Sequence, residues 1–194
     1  MIDIIIATSN DHKVDEISNL APENFKITSI KNFMGNLNIE EYGKSFIENS
    51  VIKAINSAKI INKPVIADDS GLCIKSLDGF PGIFSARYME TYSYEEKMLE
   101  ILKILSKHDN RDAYFACAAS YFDPSKDLLI SFEGKVEGHI SDKISGLHGF
   151  GYDPFFIPKG YSETFGVLSP KIKNKISHRS KAFNGLFDLL SKLL

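Results

Sequence analysis

An α/β protein with a mixed β-sheet is the fold class that the 194-residue sequence predicts. Strand-like runs alternate with amphipathic helical runs through the first half, three strand-like runs then group together between Ala113 and Ile140, and no internal repeat or low-complexity tract breaks the pattern. The length suits one full core with a small second lobe, so a single folded domain, residues 1–194, is the expectation.

Ile2 to Ala7 reads as a strand, Thr8-Ser9-Asn10 as the turn after it, and His12 to Leu20 as a helix with Val14, Ile17 and Leu20 turned inward. Ser45 and Glu48 stand at capping-box spacing and open a helix to Ile61, with Ile47, Val51, Ala54, Ile55 and Ala58 as its buried stripe. Pro64 has no N–H to continue that helix, so it stops it and starts an apolar strand that ends at Asp68-Asp69, before Ser70-Gly71. Ser93 and Glu96 repeat the capping box for a helix to Leu105, whose inner side carries Met98, Ile101, Leu102 and Leu105. Ala113 to Phe122, almost uncharged and bounded by Asp123-Pro124, has the composition of a central strand buried on both faces. Leu128 to Glu133 is expected to pair with it as a hairpin, and Lys135 to Ile140 alternates polar with apolar residues as a strand with one wet face does. A last helix opens at Ser177 and turns Ala182, Phe183, Leu186, Phe187, Leu190 and Leu193 or Leu194 inward.

Composition excludes several classes. Hydrophobic residues make up 43% and charged residues 25%, which separates the chain from disordered sequences. A formal charge of -2 lacks the basic excess that sequence-independent nucleic-acid or membrane-surface binding requires. The first apolar run is too short for a signal peptide or a membrane span, so a cytoplasmic location is expected. Cys73 and Cys117 lie inside apolar runs with no Cys-x-x-Cys spacing and read as small core residues.

Four clusters hold the residues that can carry chemistry. Asp68 and Asp69 are adjacent on a strand, so their side chains point to opposite faces and only one can aim at a given metal or water; Asp-Ser-Gly is also ordinary turn chemistry. Thr8, Ser9, Asn10 and Lys13 occupy a strand-to-helix turn, where free amides, the positive helix end and a lysine suit phosphate oxygens. No Gly-x-x-x-x-Gly-Lys-Ser/Thr loop is present, which excludes a P-loop enzyme. Glu40 and Glu41 precede Gly43, with Lys53 later on the Ser45 helix, and hard carboxylate oxygens suit magnesium, which takes one or two protein carboxylates together with phosphates and waters. Lys171, Lys173, Lys175, His178 and Arg179 surround Ser177, where positive charge in a first helical turn opposes the helix dipole, a local rule broken as functional sites break them. Gly146, Gly149 and Gly151 add a loop whose backbone can approach a ligand closely. His12, His108, His139 and His148 show no metal-ligand spacing.

Six blocks in order then resemble a known family. Thr8-Ser9-Asn10-Asp11-His12-Lys13-Val14-Asp15-Glu16, Glu40 to Asn49, Ala67-Asp68-Asp69-Ser70-Gly71-Leu72, Phe80-Pro81-Gly82-Ile83, Gly149 to Pro154 and Ser177-His178-Arg179 together are similar to the inosine triphosphate pyrophosphatases, the HAM1-like nucleoside triphosphatases. The resemblance implies hydrolysis of nonstandard purine nucleoside triphosphates (ITP, dITP and XTP) to monophosphate and pyrophosphate. It further implies magnesium dependence, a homodimer, and an elongated sheet with flanking helices and two lobes around a substrate cleft. By that likeness Thr8, Ser9, Asn10, Asp11, His12, Lys13 and Lys53 bind the triphosphate, Glu40 and Asp69 hold the metal, and Asp69 accepts the proton. Ser70, Phe150, Gly151, Tyr152, Asp153, Lys173, His178 and Arg179 match substrate contacts around the base and phosphates. The family often has glycine where this chain has Ser9. A Maf-like nucleotide pyrophosphatase with another base preference and a nonenzymatic nucleotide-binding regulator are the alternatives.

Overall fold

In the computed structural model, which describes residues 2–35 and 39–194, six strands form one mixed sheet in the order β2-β1-β3-β4-β5-β6. The strands are β1 (Ile2–Ile6), β2 (Phe25–Ser29), β3 (Val65–Ile74), β4 (Asp112–Asp123), β5 (Leu128–Ile140) and β6 (Phe156–Pro158). The helices are α1 (Asp11–Leu20), α2 (Lys31–Met34), α3 (Phe46–Ile61), α4 (Tyr94–Leu105), α5 (Pro170–Ile176) and α6 (His178–Leu193). Parallel pairing joins β1 to β2 and to β3, and antiparallel pairing joins β5 to β6. This bears out the mixed α/β expectation.

The chain divides into two compact units, one of residues 1–69, 117–134 and 178–194 and the other of residues 70–116 and 135–177. The first unit has two apolar layers. Ile4, Ile6, Ile17, Ile66, Tyr121, Phe183, Phe187 and Leu190 build one, where α1 and α6 meet the sheet. Ile5, Ala54, Ala58, Val65, Ala67 and Phe122 build the other, under α3. Strands buried on both faces read as continuous apolar runs, and Val65-Ile66-Ala67 supplies side chains to both layers. The second unit closes on its own core of Leu72, Ile74, Met98, Ile101, Phe115, Phe155, Phe156 and Phe165.

Local chemistry explains most element ends. Asn10 caps α1, Ser93 and Glu96 complete the capping box of α4, and Asn62 closes α3 in the left-handed region. Cys73 and Cys117 are buried free thiols, as read from the sequence.

Five expectations are corrected. Leu193 and Leu194, one of which is expected on the inner face of the last helix, are both exposed, because α6 ends at Leu193, past Leu190, its last buried residue. Strand β3 does not end at the aspartates but runs on through Ser70-Gly71 to Ile74, because Leu72 and Ile74 are drawn into the second unit's core and override the turn chemistry. The runs on either side of Gly134 form one strand: a Cβ at Gly134 would stand 2.2 Å from the His178 carbonyl oxygen and 2.5 Å from the Ala182 nitrogen, so this glycine admits α6 rather than breaking the strand. Ser45 accepts from the Glu48 amide, but the Glu48 carboxylate returns to Lys44 N–H instead of Ser45, giving half a capping box displaced by one residue. The buried face of α3 is partly polar, with Asn49, Ser50 and Ser57 enclosed beside Ala54 and Ala58 while Ile47, Val51 and Ile55 are half-buried.

Candidate functional site

Strand alternation separates Asp68 from Asp69 as the sequence requires. Asp68 is buried and accepts from Lys13 Nζ at 2.9 Å, with Arg179 Nε 3.7 Å from the same oxygen. Arg179, 1% exposed, reaches Glu16 through Nη1 at 2.6 Å, so Glu16, Arg179, Asp68 and Lys13 form a chain of alternating charge inside the first unit. Buried charge is tolerated only when paired in this way. Burial pushes the Asp68 carboxyl up, but Lys13, Arg179 and Lys53 outweigh it and bring its pKa down to about 2. Asp68 is therefore a fixed anion at neutral pH, and the cationic first turn of α6 that local rules disfavour is compensated by carboxylates from α1 and β3.

Asp69 serves the other side of β3. Its Oδ2 accepts from Asn49 Nδ2 at 3.0 Å, and its Oδ1 lies 3.9 Å from Lys53 Nζ, which also pairs with Glu41 at 2.7 Å. Asn49 and Lys53 are one helical turn apart on α3, and so present side chains to the same place. Burial raises the Asp69 pKa; Lys53 opposes this and the Glu41 carboxylate adds to it. Lys53 is held firmly charged, since Asp69, Asp68 and Glu41 outweigh the effect of its own burial. A carboxylate with a raised pKa beside a fixed ammonium is suited to accept a proton.

The acidic loop brings Glu41 rather than Glu40 to Lys53; Glu40 is exposed. Among the described residues no group of three or more His, Cys, Asp or Glu side chains could hold a metal ion. Two carboxylates with hard oxygens, Glu41 and Asp69, do converge on one lysine, which fits an ion that completes its shell with phosphate and water and does not fit a closed all-protein site.

At the β1–α1 turn, Asn10 Oδ1 accepts from the His12 amide at 3.0 Å and the Lys13 amide at 3.4 Å, so these two donors are engaged by the cap rather than free for an anion. Thr8 Oγ1 accepts from Asn10 N–H, Asp11 pairs with Lys31 at 2.8 Å, and Ser9, Asp11 and His12 are exposed. Lys13 leads from this turn to Asp68, so the β1–α1 turn and the double aspartate, separate in sequence, are joined by one side chain.

The second unit holds the glycine loop. Asp153 is its hub, accepting from Phe150 N–H at 2.7 Å and from Lys173 Nζ at 2.6 Å, while Lys173 Nζ lies 4.8 Å from the centre of the Phe150 ring. Gly149 has φ +73°, and a Cβ there would stand 2.1 Å from Asp153 Oδ2, so glycine meets both the conformation and the space. Beside Gly151, Tyr152 turns inward, donating to the Ser85 carbonyl at 3.0 Å and meeting Tyr94 edge-on at 5.2 Å. Ser70 follows Asp69 on β3 and is half-buried; His178, the first residue of α6, is buried.

The sequence reading singled out Asp68, Asp69, Lys13, Lys53, Asp153 and Lys173, and each lies in a cluster. It gave no role to Asn49 or Glu16, although both close blocks that carry the resemblance. A further signal for Asn49 was its place one turn before Lys53; the pairing of Glu16 was hidden because its partner Arg179 is remote in sequence.

A sequence profile described as the Ham1 family matches residues 4–189. The chain is 43% identical to the dITP/XTP pyrophosphatase of Legionella pneumophila (strain Paris) over 98% of this chain and 99% of the relative, and 43% identical to the dITP/XTP pyrophosphatase of Bacillus subtilis (strain 168) over 98% of each. Among solved structures, the Staphylococcus aureus Ham1 protein superposes with a TM-score of 0.89 at 37% identity, covering 99% of this chain and 100% of the other. A HAM1 protein from Coxiella burnetii gives 0.90 at 35% identity with the same coverage. No helix among the described residues is long and apolar enough to cross a membrane.

Proposed function

The chain belongs to the Ham1 family, and from that membership we propose that it hydrolyses nonstandard purine nucleoside triphosphates, namely dITP, XTP and ITP, to the monophosphate and pyrophosphate, and so cleanses the nucleotide pool. The observation that carries the reading is the meeting of Glu41 and Asp69 at Lys53, with the Lys13–Asp68 pair at the preceding residue of β3 and Lys13 near enough to act on the Asp69 carboxyl. That arrangement offers a proton acceptor, two ammonium groups and two hard carboxylates, which phosphoryl transfer uses for positioning and charge stabilisation. The profile match over residues 4–189 favours this family over the Maf-like alternative, and retention of Glu40, Asp68, Asp69 and Lys13 argues against a regulator that lost the chemistry.

In the proposed chemistry Asp69 takes a proton from water as its oxygen attacks the α-phosphorus and the bond to the bridging oxygen breaks. Its raised pKa supports that role. Lys13 and Lys53 offset the negative charge that collects on the departing pyrophosphate. An ammonium has three donors, and the contact with Asp68 uses one of those on Lys13. Thr8, Ser9, Asn10, Asp11 and His12 line the turn that receives phosphate oxygens. Magnesium would be held by Asp69 with the Glu40–Glu41 loop, and when bound it supplies Lewis-acid stabilisation of phosphate charge.

Base selection is assigned to Phe150, Gly151, Tyr152, Asp153, Ser70, Lys173, His178 and Arg179. Hypoxanthine and xanthine carry an oxygen at position six where adenine carries an amino group, so a hydrogen-bond donor set against that position pairs with the first two and meets another donor in adenine. Each such mismatch costs about 1 to 3 kcal/mol. His178 and the loop backbone are the favoured donors, because the Arg179 guanidinium is engaged with Glu16 and Asp68. A homodimer and a cytoplasmic location are part of the same proposal.

Product analysis tests the reaction class. The account expects inosine monophosphate and pyrophosphate in equal amounts from ITP; inosine diphosphate and orthophosphate would show cleavage at a different bond.

A further inference from the structure

Resting on that reading, we propose that Asn49 is a positioning residue, a buried clamp that fastens the acidic loop and the Asp69 carboxylate to α3 and so sets their separation. Asn49 is wholly buried, and both ends of its amide are used: Oδ1 accepts from Gly43 N–H at 2.9 Å and Nδ2 donates to Asp69 Oδ2 at 3.0 Å. The amide orientation is fixed by chemistry, since a carboxylate at neutral pH only accepts and a backbone N–H only donates. Leucine, of similar shape, makes neither contact, and an ionised aspartate makes only the one with Gly43.

The loop is shaped for this contact. A Cβ on Gly43 would lie 2.6 Å from Asn49 Oδ1, 2.7 Å from Glu48 Cβ and 2.9 Å from the Asn49 nitrogen. The next amide, Lys44 N–H, donates to the Glu48 carboxylate, so two successive loop amides are tied to the first turn of α3. Glu41, two residues before Gly43, then reaches Lys53, which stands one turn beyond Asn49 on the same face as Asp69. Like charges on Glu41 and Asp69 repel, and a glycine-containing loop has little stiffness of its own. Asn49 supplies the fixed distance that Lys53, a flexible side chain, does not.

The test uses the full chain and two readouts, hydrogen exchange in the peptide spanning Glu40 to Lys44 and steady-state pyrophosphate release from ITP with magnesium. Asn49→Leu removes both contacts; the loop amides should exchange faster, and kcat should fall on the order of 10- to 100-fold with KM for ITP held within about threefold. Asn49→Asp keeps the acceptor for Gly43 and loses the donor for Asp69, so exchange should stay at the wild-type rate while kcat falls by a similar factor. Gly43→Ala should loosen the loop, because its Cβ drives against the Asn49 amide and the first turn of α3, and it carries the exchange comparison if Asn49→Leu does not fold. Wild-type exchange in both loosened variants, or undiminished kcat in Asn49→Asp, overturns the clamp. If the wild-type protein releases no pyrophosphate from ITP, the functional reading fails on its own, and the contrast in exchange between the variants still decides whether Asn49 holds the loop.

Discussion

Lys13 and Asp68 meet at 2.9 Å, with the Asp68 side chain fully buried and that of Lys13 only 16% exposed. The pair joins the turn after β1 to the middle of β3 and leaves Asp69, the next residue, to face Asn49 and Lys53. One strand thus separates an anion pinned by Lys13 from a carboxyl whose pKa is raised by burial.

Removing the pinned anion should destabilise the fold in a pH-dependent way. The folded-state pKa of Asp68 is about 2, below its ordinary 3.8, so its contribution is complete above about pH 4 and is lost as the pH falls through about 2. Asp68→Asn leaves Lys13 and Arg179 facing an uncharged group and should lower stability at pH 7 by about 2 to 3 kcal/mol. Urea denaturation of both proteins at pH 7 and pH 3 checks this; the gap between them should narrow at the lower pH.

Asp69→Asn is nearly isosteric and removes the proposed proton acceptor while leaving Lys13 and Lys53 in place. Nucleotide should still bind, measured by calorimetry with ITP, and turnover should fall on the order of 10²- to 10⁴-fold. Near wild-type turnover would remove Asp69 from its role.

The two glutamates should separate. Glu41→Gln is expected to raise the magnesium concentration for half-maximal activity by about tenfold or more, whereas Glu40→Gln should change it by less than about threefold, because only Glu41 is drawn to Lys53 beside Asp69. Metal titrations of the two variants decide between them.

Gly149→Ala would drive a Cβ into the Asp153 carboxylate and strain a left-handed backbone. Asp153 would lose its hold on Phe150 N–H and Lys173, so KM for ITP should rise about tenfold with kcat little changed. A fall in kcat alone would place the loop nearer the reacting phosphorus than proposed.

The site was legible wherever local rules carry it. Alternation along a strand separated Asp68 from Asp69, capping chemistry placed α4, and glycine spacing marked the loop around Asp153. Where partners are far apart in sequence, reading failed. Ser70-Gly71 and Gly134 have turn-like chemistry, but burial of Leu72 and Ile74 in the second unit's core and the close approach of α6 to Gly134 decide their conformation. Glu48 chose the Lys44 amide over that of Ser45, a choice between adjacent donors that spacing does not resolve. The polar face of α3 was hidden for a related reason: periodicity ranks Ile47, Val51 and Ile55 as core, whereas the helix turns Asn49 and Lys53 toward Asp69.

Pyrophosphate release from ITP, set against release from ATP under identical magnesium, tests the central claim most directly. The account predicts rapid release from ITP and a rate on ATP lower by about 10²-fold or more, as two or more mismatched buried donors would give. An intact ITP pool, or ATP consumed at the same rate, would contradict it.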